Sequence, residues 1–290
     1  MAFKSLADLL EVCNQKNQDF KTVVLENDCK ETGMTREDSI KQMTALFDAM
    51  LFAHATYNGK LRSTSGLAGG DGQKLENYMK EGTPLSGEFL GKVMKVATQM
   101  GESNACMQRI VAAPTGGSCG VLPAVLIPMF QEKKATQEQI IDALYVASGI
   151  GQVIASRASI SGAQGGCQAE IGTASSMAAG ALVFIKGGSK EMVLHAAGIA
   201  LQNLLGLACD PVAGLVEIPC INRNALGAAN AYLCADMALA GMETAIPIDQ
   251  IIDAMKDIGD KMHPSLKETG TGGLAATEKG LEIKLSLENE

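Results

Sequence analysis

Apolar residues recur along the chain mostly at helical spacing. Ser5 precedes a run with Asp8 three residues on and Leu6, Leu9, Leu10 and Cys13 along one face. A second helix is expected around Phe20–Lys30, stopping at Gly33. Thr35 and Asp38 mark a third start. Ile40, Met43, Leu46, Phe47, Met50 and Leu51 then repeat until Asn58-Gly59. Ser86 opens another helix, with Phe89, Val93, Val96, Ala97 and Met100 inward. Thr136 and Gln139 form a capping box ahead of Ile140, Ile141, Leu144 and Ile150. Pro247 and Asp249 introduce a last helix through Ile251, Ile252, Met255, Ile258 and Met262.

Between these lie three helical runs rich in small residues: EIGTASSMAAGALVFI, VLHAAGIALQNLLGLA and NALGAANAYLCADMALAG. Small residues let backbones approach closely, as expected where helices surround a buried cofactor. Strand signals are sparse, and neither a repeat nor a linker stands out. The expectation is a mainly α, single compact domain over 1–290. It would have N-terminal helices at about 1–58, a cysteine-bearing region at about 159–240 and a Gly-rich tail at about 263–280.

Composition narrows the chemistry. Hydrophobic residues make up 47% of the 290 residues and aromatics 4%, with no Trp, so the core must be aliphatic. A formal charge of −8 opposes nucleic-acid binding. No stretch reads as a clean membrane span or a signal peptide. Eight cysteines without a C-x-x-C pair then imply reduced thiols and a cytoplasmic location.

Two loops could hold a ligand. GKLRSTSGLAGGDGQKL is read as one continuous loop, with Ser63, Thr64 and Ser65 adding hydroxyls. Composition alone equally fits a flexible linker there. In the second, Thr115, Gly116, Gly117 and Ser118 precede an apolar helix, where N–H groups and hydroxyls suit a carboxylate or phosphate. Neither is a Walker or dinucleotide loop.

Three cysteines sit where glycine or proline restricts the backbone: Cys167 after Gly165-Gly166, Cys209 before Asp210-Pro211, and Cys220 after Pro219. They look like ligands of one inorganic centre, although cytosolic cysteines are mostly small buried hydrophobes. His54, His195 and His263 are the only histidines, and none lies in a recognisable acid–base constellation.

The stretches STSGLAGGDG, APTGGSCGVLPAVL, SGAQGGCQAEIGTASSMAA, CDPVAGLVEIPCINRN and TGTGGLA resemble the alpha subunit of iron–sulfur-dependent bacterial L-serine dehydratases. The resemblance implies a [4Fe–4S] cluster on Cys167, Cys209 and Cys220 and conversion of L-serine to pyruvate and ammonia without pyridoxal phosphate. It places the cluster as a buried centre among Gly-rich ligand loops. Substrate-binding candidates are Ser63, Thr64, Ser65, Thr115, Gly116, Gly117, Ser118, Ser161 and Gly162. Cys119 is assigned no role by the resemblance, and a fourth thiolate would close the open iron. The tail LEIKLSLENE lacks the terminal cysteine of some relatives. The general base is either one of the three histidines or a group on a separate beta subunit, a region other members carry. A higher oligomer is expected. Two other readings stand: a related lyase for L-cysteine or another small amino acid, and a non-catalytic anion-binding or scaffold subunit.

Overall fold

The computed structural model describes residues 3–289; Met1, Ala2 and Glu290, the ends of the expected domain, lie outside the described residues. The first three helices are α1 (Leu6–Lys16), α2 (Phe20–Thr32) and α3 (Arg36–Ala55). Ser5 and Thr35 cap α1 and α3 by accepting from the Asp8 and Asp38 N–H groups, as their spacing predicts. After α4 (Asp71–Glu81) and α5 (Glu88–Ala105) come α6 (Val121–Gln131) and α7 (Gln137–Arg157), the last opened by the expected Thr136–Gln139 capping box. The short α8 (Gly162–Gly165) leads through a π-helical turn (Gln168–Gly172) into α9 (Thr173–Ile185). The chain ends with α10 (Lys190–Gln202), α11 (Cys220–Leu239), α12 (Ile248–Lys261) and α13 (Glu278–Glu288). No strand forms among the described residues; Cys209 and Lys267 make one isolated parallel bridge. Nor is any described helix long and apolar enough to cross a membrane.

The core is organised on α9, whose residues Thr173 to Val183 are all buried. Helices α7, α10 and α11 pack around it, and α6 closes a further side. The small residues do what their pattern predicts. Gly227 on α11 lies so near Ile171 that an added Cβ would sit 2.8 Å from its Cγ2. Several polar side chains buried by this approach are paired, although Thr173 Oγ1 is not. Ser175 Oγ donates to Gly227 O at 2.8 Å and Ser176 Oγ to Ala197 O at 2.9 Å. Asn230 Nδ2 donates to Ser175 Oγ and Ala200 O, each at 2.9 Å. The expected mainly helical single domain is therefore what forms, built on close helix contact.

Two helices lie where the sequence pattern showed none. The glycine-rich loop ends at Gly70, and Asp71 already opens α4. Gly70 has φ 87° and offers no side-chain cap. The cap comes from Glu102 on α5, which is 2% exposed. Its carboxylate accepts Asp71 N–H at 2.6 Å, Gly72 N–H at 3.1 Å and the Tyr57 hydroxyl. A carboxylate at a helix N-terminus is favourable, but this one lies in another helix, invisible to local pattern. In the same way Asp249, expected to open α12, spends its carboxylate on α1. It accepts Leu6 N–H at 2.8 Å and Ala7 N–H at 3.0 Å. The other unforeseen helix, α13, follows Thr277, which caps it through the Gly280 N–H.

Glu102 thus fixes the exit of the Ser63–Ser65 loop. Glu102→Ala leaves three donors without an acceptor at a buried helix end. It should lower stability by about 2–4 kcal/mol in chemical denaturation. A loss below about 1 kcal/mol would mean that water replaces the carboxylate.

Candidate functional site

The three cysteines come from three segments and meet beside α9. Cys167 stands between α8 and the π turn, after Gly166 at φ 76°. Cys209 is held in extended backbone against the tail: its N–H donates to Leu266 O at 2.8 Å and its carbonyl accepts Glu268 N–H at 2.7 Å. Cys220 is the first residue of α11, and its carbonyl accepts from Asn224 Nδ2 at 2.9 Å. All three are buried and free. Burial pushes the Cys167 thiol up to about 11, against a lowering by Arg223. Burial and then the Cys167 charge push Cys220 up to about 12, and the same two causes raise Cys209. Cys209 therefore feels Cys167 and Cys220, and Cys220 feels Cys167, as nearby negative charge.

Side chains from α11 stitch the centre together. Arg223 donates to Ala208 O at 2.6 Å and to Asp210 Oδ1 at 2.9 Å, and it also hydrogen-bonds Cys167. Asp210 Oδ2 accepts Leu274 N–H at 2.9 Å, which draws the Gly-rich tail over Cys209. Asn224 Nδ2 donates to Gly117 O at 2.8 Å, and its Oδ1 accepts Gly120 N–H at 2.8 Å. The second glycine loop is thereby fixed to the first turn of α11.

The predicted ligand residues divide into two groups. Thr115, Gly117 and Gly162 gather around Glu170, which lies in the π turn. Thr115 Oγ1 donates to Glu170 Oε1 at 2.7 Å, and buried Ser118 Oγ lies 3.0 Å from Thr115 Oγ1. An added Cβ on Gly117 would lie 2.9 Å from Glu170 Oε1. One on Gly162 would lie 2.8 Å from Glu170 Oε2 and 2.9 Å from Cys209 Sγ. Gly116 faces Asn104, whose Nδ2 donates to the Gly116 carbonyl at 3.3 Å. Ser161 caps α8 without a side-chain bond, and its N–H donates to Ser159 Oγ at 3.0 Å.

The other group meets Glu217 instead. Ser63 and Ser65 donate to Glu217 Oε2 at 3.0 and 2.5 Å. Thr64 is exposed and lines, with Ser65, Asn104, Met107 and Glu217, a cavity of about 700 Å³. These hydroxyls anchor their loop three residues before Cys220.

Glu170 was missed at the sequence level, and its only signal was an acid inside a run of small and apolar residues. Burial raises its carboxyl above the ordinary value, opposed by the Thr115 hydrogen bond and reinforced by Glu268. Glu268 itself has a left-handed backbone, φ 62°.

The histidines lie elsewhere. His54 lines a charged cleft with Glu76, Lys80, Lys92, Lys95 and Glu132. His195 Nδ1 accepts Thr244 N–H at 3.3 Å. Exposed His263 accepts Ser265 N–H at 3.2 Å. Cys119 is fully buried and turned to Met100 O, 3.7 Å from its sulfur. Among the described residues no three His, Cys, Asp or Glu side chains crowd closely enough to hold a single metal ion. A donor set of three thiols, without an imidazole, suits a larger iron–sulfur group whose ligands sit on separate irons.

Fold and centre together define a helical protein built round buried thiols, and sequence comparison supplies the family. The model of the serine dehydratase alpha chain matches residues 15–275. The probable L-serine dehydratase, alpha chain, of Bacillus subtilis (strain 168) is 45% identical over 282 residues, covering 97% of this chain and 94% of that one. The L-serine dehydratase, alpha chain, of Peptoniphilus asaccharolyticus is 41% identical over 281 residues, covering 96% and 95%. The L-serine dehydratase of Helicobacter pylori (strain J99 / ATCC 700824) is 37% identical over 293 residues, covering 96% of this chain but 62% of that one. The chain belongs to the serine dehydratase alpha chain family.

The setting of His54 yields a pH prediction. Burial, and then the Lys95 charge, hold its pKa below the ordinary 6.5. As pH falls through that value, the unfolded chain gains a proton that the folded one resists. Stability is then lost on the acid side. The margin of the parent over His54→Gln in thermal unfolding should shrink between about pH 7.5 and about pH 5.5. A margin that grew on acidification would show His54 to be stabilised as the cation.

Proposed function

We propose that this chain is the iron–sulfur subunit of an enzyme that converts L-serine to pyruvate and ammonia. The observation that carries this is the convergence of Cys167, Cys209 and Cys220 from three segments, in a member of the serine dehydratase alpha chain family. The three would hold a [4Fe–4S] cluster, which supplies an open iron as Lewis acid for the substrate hydroxyl.

The chain's own residues serve that chemistry in identifiable ways. Arg223 offsets negative charge at Cys167 and Asp210. Thr115, Gly117 and Gly162 surround Glu170 beside Cys209 and would contact a small substrate there. Gly116, Ser118 and Ser161 shape the same two loops, and Ser63, Thr64 and Ser65 lie on a loop that Ser63 and Ser65 tie to Glu217. Loss of the α-proton and the β-hydroxyl gives aminoacrylate, which tautomerises and hydrolyses to pyruvate and ammonia. The α-proton requires a base within roughly 2.6–3.2 Å or one water. His54, His195 and His263 each face other surroundings, which favours a base on a separate beta subunit. The greater length of the Helicobacter relative supports such a region.

Anaerobic preparations test this through iron and sulfide content and through pyruvate release. Cys167→Ser, Cys209→Ser and Cys220→Ser should each abolish iron binding. Cys119→Ser and Cys234→Ser should keep it, because Cys119 faces Met100 O and Cys234 faces Asn203 and Asn230. The chain alone should release little pyruvate, and a separately supplied beta subunit should restore the rate. Iron loss in Cys119→Ser alone contradicts the ligand set. Full turnover by the isolated chain contradicts the shared base.

A further inference from the structure

We propose that Glu170 receives the α-ammonium of the substrate, so that this one carboxylate makes the site an amino-acid site. The inference rests on the function proposed above and deepens it. Glu170 is 9% exposed. Thr115 holds Oε1 at 2.7 Å, while no described side chain or backbone group donates to Oε2 and no Lys, Arg or His pairs with either oxygen. Buried carboxylates are ordinarily kept with a cation or a full set of donors. This one has a single donor.

The charges around it offer no partner. Cys167, Cys209, Cys220 and Glu268 are all acidic groups. Arg223 is the cation at the centre, and it is spent on Asp210, Ala208 O and Cys167. The neighbouring buried acids each have two or more donors. Glu217 accepts from Ser63 and Ser65, Asp210 from Arg223 and Leu274 N–H, and Glu102 caps α4. Glu170, with a single donor, is the least satisfied of them.

Gly162 packs against Glu170 Oε2, where a methyl would meet both that oxygen and Cys209 Sγ. A cation at Oε2 therefore lies next to the thiol centre. An α-amino acid places its ammonium two bonds from the carbon that carries the β-hydroxyl. Seated on Glu170, the ammonium would leave that hydroxyl directed to the thiol centre. A hydroxy acid of the same shape brings no cation and leaves the buried carboxyl unpaired.

The test uses the anaerobically prepared enzyme with its beta subunit and two non-reacting probes, L-alanine and L-lactate, titrated by calorimetry. The parent should bind L-alanine about 30-fold or more tighter than L-lactate, the loss expected for one partner of a buried charge pair. Glu170→Gln should erase most of that ratio, with iron content unchanged. Its KM for L-serine should rise by a similar factor, with a smaller effect on kcat. Thr115→Val, which keeps the carboxylate but frees it, should give a weaker shift in the same direction. An alanine-to-lactate ratio unchanged in Glu170→Gln overturns the inference. So does a fall in kcat at constant KM, which would place Glu170 in the chemical step. Pyruvate formation by the parent tests the proposed function separately: a parent that makes none from L-serine, yet shows the Glu170-dependent ratio, overturns that function and keeps the ammonium site.

Discussion

The centre depends on how closely α9 and α11 approach. Gly227 admits the Ile171 side chain, and Ser175 bonds to the Gly227 carbonyl. That contact brings the π turn after Cys167 beside the first turn of α11, where Cys220, Arg223 and Asn224 stand. A larger residue at 227 would push the two helices apart and separate the thiols. Close-packed interiors transmit such a shift with little relaxation. Glu170 shares the constraint, since it leaves the same π turn that carries Ile171. A π turn inserted in a helix re-aims side chains and is frequent at functional sites.

Burying so many acidic groups together has an electrostatic cost, and the structure meets it unevenly. Asp210 has Arg223 and a backbone donor. Glu217 has two hydroxyls, and Glu102 has two helix N–H groups and a phenol. The thiols have mainly burial against them, which disfavours their thiolate forms. Metal binding requires thiolates, so a positively charged inorganic core would reverse that bias and couple its own binding to the order of the site. The uneven compensation separates residues that hold the fold from residues left waiting for something.

What the sequence made legible was local. Caps at Ser5, Thr35 and Thr136 bond N–H groups three residues away, so spacing alone reveals them. The small-residue runs, the three restricted cysteines and the Thr115–Ser118 loop were visible for the same reason. What stayed hidden was non-local. Glu102 caps α4 across 31 residues, and Asp249 caps α1 across 243. That the hydroxyls of Ser63 and Ser65 meet Glu217, across separations of 154 and 152, was equally out of sight. Glu170 read as one polar residue in a helix, because nothing local tells that its turn is π-helical or that two glycines from other loops face its carboxyl.

The same separation bears on the missing base. A residue already bonded within the fold must break that bond before it can move a proton. His195 holds the start of the Thr244 turn, and His263 caps the short helical turn at Pro264–Leu266. His54 is half-buried beside Lys95, a setting that lowers its pKa, and it lines a different cleft. His195 and His263 thus each have a structural role where they stand. Around Cys167, Cys209 and Cys220, by contrast, the side chains supply charge compensation, hydroxyls and one carboxylate with a single donor. No imidazole stands among them.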